Sequence, residues 1–174
     1  KEIAIKFGDG GFGKRPDILK YPNDVLDFAK RGASSFHCSE ELWFAPLDIK
    51  TGSSKEDSNA LRKGWDLVLD VDCPVLDFSA IGADLLVGAL NHYDISHVDV
   101  KFSGNHGFHL GVPFRSFPSI INDVEIKNWF HDVPRNIAGL LRDMIAPHLE
   151  KKLLELYSAD RIAEMTNPNP SSKH

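Results

Sequence analysis

Two alternating runs, residues 98–103 and 108–112, are separated only by Gly104-Asn105-His106-Gly107, and this pair restricts the fold more than any other feature. Alternation with a period of two belongs to a strand with one buried face, and a glycine-bounded turn of this length returns the chain antiparallel. Val98, Val100 and Phe102 then share one face, which leaves Lys101 and Ser103 together on the other. On the returning strand Phe108, Leu110 and Val112 face the core, and His109 points outward between Gly107 and Gly111. Upstream, residues 67–71 suit a strand. Residues 79–93 suit a helix, with Ile81, Leu85, Leu86, Leu90 and Tyr93 at helical spacing. Strands therefore come both as a hairpin and separated by a helix, which makes the class mixed α/β with a partly antiparallel sheet.

The rest of the chain is read more coarsely. Residues 1–7 alternate as a strand would, with Ile3 and Ile5 on one face and Ala4 and Lys6 on the other. Gly8, Gly10, Gly11 and Gly13 follow as a flexible loop that lacks the spacing of a P-loop or a dinucleotide fingerprint. Asn23 or Asp24 can cap a short helix ended by Gly32. A strand is expected within residues 36–44 and a polar loop over 50–60. From Arg135 the pattern is helical, with a break or kink at Pro147 and a second helix over 149–157. Residues 1–165 are taken as one core and 166–174 as a disordered tail. The opening Lys1 and the polar ending mark an expected fragment of a longer protein.

Composition excludes little but bounds the answer. With 174 residues, 42% hydrophobic and 26% charged, the chain can bury a real core. No apolar run approaches the roughly 18 residues a membrane helix needs, and no signal pattern opens the chain. No membrane partner is therefore expected. Two cysteines build neither a disulfide framework nor a four-cysteine zinc site, so a reducing cytoplasm is the expected compartment. A net charge of −5 means that any nucleic acid must bind through a local patch, bound cations or a basic partner.

The chemistry-bearing segment is Trp65-Asp66-Leu67-Val68-Leu69-Asp70-Val71-Asp72-Cys73-Pro74. On a strand, Asp70 and Asp72 fall on one face, roughly 6–7 Å apart. Two carboxylates at that spacing repel unless a cation lies between them, and magnesium or manganese prefer such oxygen ligands. Glycosyltransferases, nucleases and polymerases all use such pairs. The hairpin adds a donor-rich concavity: Lys101, the Ser103 hydroxyl, the turn N–H groups of Gly104, Asn105, His106 and Gly107, and His109. That set suits an anion, and a triphosphate above all. Acidic metal ligands beside cationic phosphate ligands are what nucleotidyl transfer requires.

These two segments resemble the first two signature motifs of the archaeo-eukaryotic primase superfamily, a DxD on a strand followed by Ser-Gly-x-x-Gly-x-His. Here they read Asp70-Val71-Asp72 and Ser103-Gly104-Asn105-His106-Gly107-Phe108-His109. Lys63-Gly64-Trp65 and the opening Lys1-Glu2-Ile3-Ala4, with Phe7-Gly8, are similar to archaeal small subunits, so the resemblance spans residues 1–115. It implies a primase core with an RRM-like sheet flanked by helices. It also implies magnesium or manganese on Asp70 and Asp72, and triphosphate contacts from Ser103 and His109. Activity would be template-dependent polymerisation of nucleoside triphosphates on single-stranded DNA, alongside a large subunit in an archaeal cytoplasm.

The chain departs from the family in three ways. Asn105 and His106 stand where arginine is common, which lowers the local charge unless Lys101 compensates. Only Cys73, His92 and His97 lie between the motifs, so no zinc is expected. The family's third metal-binding aspartate has no clear counterpart, with Asp123, Asp132 and Asp143 in loop or helical contexts. A non-catalytic nucleotide- or strand-binding module, a bacterial end-joining-type polymerase domain and another DxD transferase or phosphohydrolase remain open alternatives.

Overall fold

A computed structural model describes residues 1–166. In chain order the first elements are β1 (Ile3–Phe7), α1 (Pro22–Lys30), β2 (Ala33–Cys38), β3 (Glu41–Trp43), α2 (Lys55–Leu61) and β4 (Arg62–Trp65). Then come β5 (Leu67–Asp72), α3 (Leu76–His92), β6 (Asp99–Gly104) and β7 (Gly107–Val112). The chain continues through β8 (Ile120–Ile121), β9 (Val124–Glu125), α4 (Asp132–Leu156) and α5 (Ala159–Thr166). The fold is α+β, with helices beside small antiparallel sheets. The described residues divide into two compact units, Lys1–Asp66 with Pro118–Phe130, and Leu67–Phe117 with residues 131–166.

In the first unit β1 pairs antiparallel with β2, and β3 with β4. Ala4 and Ile5 are both buried, so β1 does not follow the simple in–out alternation of its sequence. The reason is that residues 12–17 fold back along it: the Ile3 amide donates to Asp17 O at 2.8 Å, and the Gly13 amide to Ile5 O at 2.8 Å. The glycine-rich segment is thus pinned by backbone hydrogen bonds. Trp65 is fully buried and its Nε1 donates to Ile126 O at 3.0 Å, tying the unit's two chain segments together. Arg62 is also buried. Its guanidinium donates to Glu41 Oε1 and Asn59 Oδ1 and lies 5.3 Å from the rings of both Trp43 and Phe130.

Two local expectations change. Residues 55–61, read as polar loop, form α2, because the Ser54 hydroxyl accepts the Asp57 amide and caps the helix start. α1 begins at Pro22 rather than after Asn23 or Asp24. Asp24 works from inside the first turn, accepting the amides of Lys20 and Tyr21 at 2.7 and 2.9 Å. Arg31 closes α1 and Gly32 follows at φ 94°, the left-handed conformation that favours glycine.

In the second unit, β5, β7 and β6 form one sheet in that spatial order, both pairings antiparallel. β5 and β6 therefore run parallel, with α3 connecting them and β7 inserted between: a split β-α-β unit. The α3 helix covers the apolar face of β5 and β7, where Leu67, Leu69, Leu110 and Val112 are buried. Coverage stops short of β6, so Val100 and Phe102, on the core-facing side of their strand, are each 53% exposed. Pro147 does not end a helix: α4 runs unbroken through it to Leu156. The expected tail lies outside the described residues except for Thr166, which ends α5. No helix among the described residues is long and apolar enough to cross a membrane.

Candidate active site

The pairing of β5 with β7 puts Asp70 directly across from His109, and the pairing of β6 with β7 puts Lys101 across from the same histidine. Residues paired across a sheet share a face, so Lys101, His109 and Asp70 form one transverse row. His109 Nε2 lies 3.4 Å from Asp70 Oδ1. The side chains are 39% and 66% exposed, so the pair is solvent-screened and contributes little to stability. Asp70 is thereby a carboxylate held beside an imidazole at no great cost in burial.

The next row toward the turn pairs Asp72 with Gly107 and Gly107 with Gly104. A bulge on β6 sets both Ser103 and Gly104 against Gly107. A Cβ on Gly107 would lie 2.6 Å from Ser103 Oγ, 3.0 Å from Val71 O and 3.4 Å from Asp72 Oδ1. The hydroxyl and the carboxylate therefore close over a bare glycine, and no other residue leaves room for both. The turn itself is Asn105-His106, entered through Gly104 at φ 103° and Asn105 at φ 53°. No hydrogen bond or ion pair engages the side chains of Lys101, Asn105 or His106 among the described residues. All the expected site residues lie on one hairpin and its neighbouring strand, and Asp70, Asp72, Lys101, Ser103 and His109 share one face.

The structure adds a residue that the sequence reading passed over. Asp99 pairs with Gly111, which pairs with Val68, so Asp99 is on the same face as Asp70. It sits two strands from β5, which at the usual spacing is about 10 Å, too far to share an ion with Asp70. Strand alternation alone could have placed it there. Asp123 lies in the β8–β9 turn at φ 61°, Asp132 opens α4, and Asp143 is ion-paired to Arg142 at 2.8 Å. Among the described residues no three His, Cys, Asp or Glu side chains stand close enough to cage a metal. The donor set still fits a magnesium-like ion, which commonly takes one or two carboxylates and fills its octahedron with water and substrate phosphate.

Residues Val68–Cys73 of and after β5 also border a cleft of about 770 Å³, formed with α3, α4 and α5. No protein-family model, curated protein or solved structure matches this chain.

Proposed function

We propose that this chain carries a nucleotidyl-transfer site of the primase type, acting on nucleoside triphosphates with a single-stranded DNA template. The observation that supports this best is the shared face: Asp70 and Asp72 on β5 beside Ser103 and His109 from the adjoining hairpin, with Lys101 in the same row. Had the hairpin turned its imidazole to the helix-covered side, no single ligand could meet both sets.

In this reading Asp70 and Asp72 hold magnesium or manganese, which when bound neutralises phosphate charge. Ser103, His109 and Lys101 donate to the non-bridging oxygens and orient the triphosphate along the hairpin. The reaction is attack of a strand's 3′-hydroxyl oxygen on the α-phosphorus, with the hydroxyl proton released to water. A new phosphodiester bond forms, the bond from the α-phosphorus to the bridging oxygen breaks, and pyrophosphate carries away that electron pair. A bare glycine at 107 lets the triphosphate approach the backbone.

A second reading follows from the distance of Asp99 from β5: with two carboxylates in reach, the site binds nucleotide without turnover. Titration of the whole chain with a nucleoside triphosphate, with and without manganese, followed by a template-directed incorporation assay, separates them. Manganese-dependent binding is expected, with Asp70→Asn and Asp72→Asn each weakening it by roughly tenfold or more, as loss of a charged ligand should. Wild-type-like binding by either variant removes the whole proposal. Binding without incorporation favours the second reading.

A further inference from the structure

We infer that the open edge of β6 pairs with β6 of a second copy of this chain, antiparallel about a two-fold axis at Val100, joining three strands from each copy into one sheet. The inference needs no nucleotide and stands or falls apart from the proposed nucleotidyl-transfer reading.

β7 is the only strand beside β6 among the described residues, so alternate backbone N–H and C=O groups of β6 point out of the sheet. The edge is uncovered: Asp99, Val100, Lys101, Phe102 and Ser103 are all exposed. Such a row of unpaired backbone groups is a template for another strand. The apolar side of β6 is equally open. Val100 and Phe102 lie on the face that α3 covers over β5 and β7, yet each is 53% exposed. Protein edges are commonly guarded by proline, by a charge turned to the apolar side or by a bulge. Here the bulge lies at the turn end, past Phe102, and Val98, Val100 and Phe102 put no charge on that side. Lys101 is the one guard, and it turns away most strands.

Charge decides which strand fits. Two copies of one strand pair antiparallel with like faces together only when the axis passes through a residue of the strand, because a one-residue slip turns apolar side chains against polar ones. An axis at Asp99 sets that carboxylate against its own copy, and an axis at Lys101 sets two ammonium groups together. Like charges directly opposite are destabilising. An axis at Val100 sets Asp99 opposite the partner's Lys101 and Lys101 opposite the partner's Asp99. The side chains of Asp99 and Lys101 make no ion pair or hydrogen bond among the described residues, so both are available. On the other face Val100 meets its own copy and Phe102 meets the partner's Val98, which withdraws the exposed apolar side chains from water. The row of Asp70, His109 and Lys101 is then extended by the partner's Asp99, a carboxylate at each end. One strand edge is a small contact, so the dimer is of the weak, reversible kind.

Sedimentation velocity of the whole chain over a concentration series, at low and high salt, is the test. Wild type should pass reversibly from monomer to dimer as concentration rises, more readily at low salt. Asp99→Lys and Lys101→Asp each turn both charge pairs into like-charge pairs, and each should weaken dimerisation by roughly tenfold or more. The exchange Asp99→Lys/Lys101→Asp makes the charges opposite again and should recover dimerisation to within about threefold of wild type. Val100→Lys places two ammonium groups together on the axis and should leave a monomer. Because all three positions are exposed, helicity and thermal midpoint should stay at wild-type values in every variant. A wild type that remains monomeric throughout, single charge changes without effect, or an exchange no better than its single changes each overturns the proposal. So does a dimer that survives Val100→Lys, since it must use another surface.

Discussion

Gly107 is the most constrained single residue of the site. The 2.6 Å from a would-be Cβ to Ser103 Oγ is below any ordinary contact, and Val71 O at 3.0 Å is backbone that cannot rotate away. Gly107→Ala should therefore force the hairpin off β5 and cost about 1–3 kcal/mol, as small overpacking does. Urea unfolding of the variant measures it, and an unchanged midpoint would mean that the two strands are less tightly apposed. Alternation in the sequence sufficed to send Asp70, Asp72 and His109 away from the apolar side. It did not reveal the contact over Gly107, because a bulge at Ser103–Gly104 sets that geometry and bulges leave no periodic trace.

Among the elements, α4 departs furthest from its sequence. Pro147 removes a backbone donor and crowds the preceding turn, so a break or a kink was the expectation, and the break is absent. The helix carries on through it with Leu141 and Ile145 buried before the proline and Leu149 and Leu153 half-buried after it, all four on one face. Restoring the donor with Pro147→Ala should stabilise the chain by roughly 1–3 kcal/mol, less whatever the stiffer unfolded chain had contributed. Helix-monitored thermal unfolding checks it; a lowered midpoint would show that the proline serves the packing. α2 went unread because Lys55–Asn59 are all polar and only Ala60 and Leu61 are apolar, too few for a helical period, so the Ser54 cap is its main mark. The β8–β9 hairpin is two residues a side, too short for any alternation to register.

For the whole molecule, the division into two units was not legible, because the first is discontinuous in sequence. Its closure depends on long-range partners: Trp65 with Ile126 O, and Arg62 with Glu41 across 21 positions. Removing Glu41 as alanine leaves a buried guanidinium without its counter-charge and should cost about 3–5 kcal/mol. All three tryptophans, Trp43, Trp65 and Trp129, belong to that unit, so tryptophan fluorescence is the probe that reports the loss. An unshifted fluorescence transition would mean that Arg62 finds water or another acceptor.

What the sequence determined by itself is direction: with a strand's period of two, each side chain's face follows from its neighbours, and the carboxylates, the serine and the histidine all turn outward. What only the tertiary structure decided is adjacency. Inserting β7 between β5 and β6 sets His109 beside Asp70 and leaves Asp99 two strands away. Strand order is a choice among pairings distant in the chain, settled by how α3 can cover the sheet, and no local pattern encodes it.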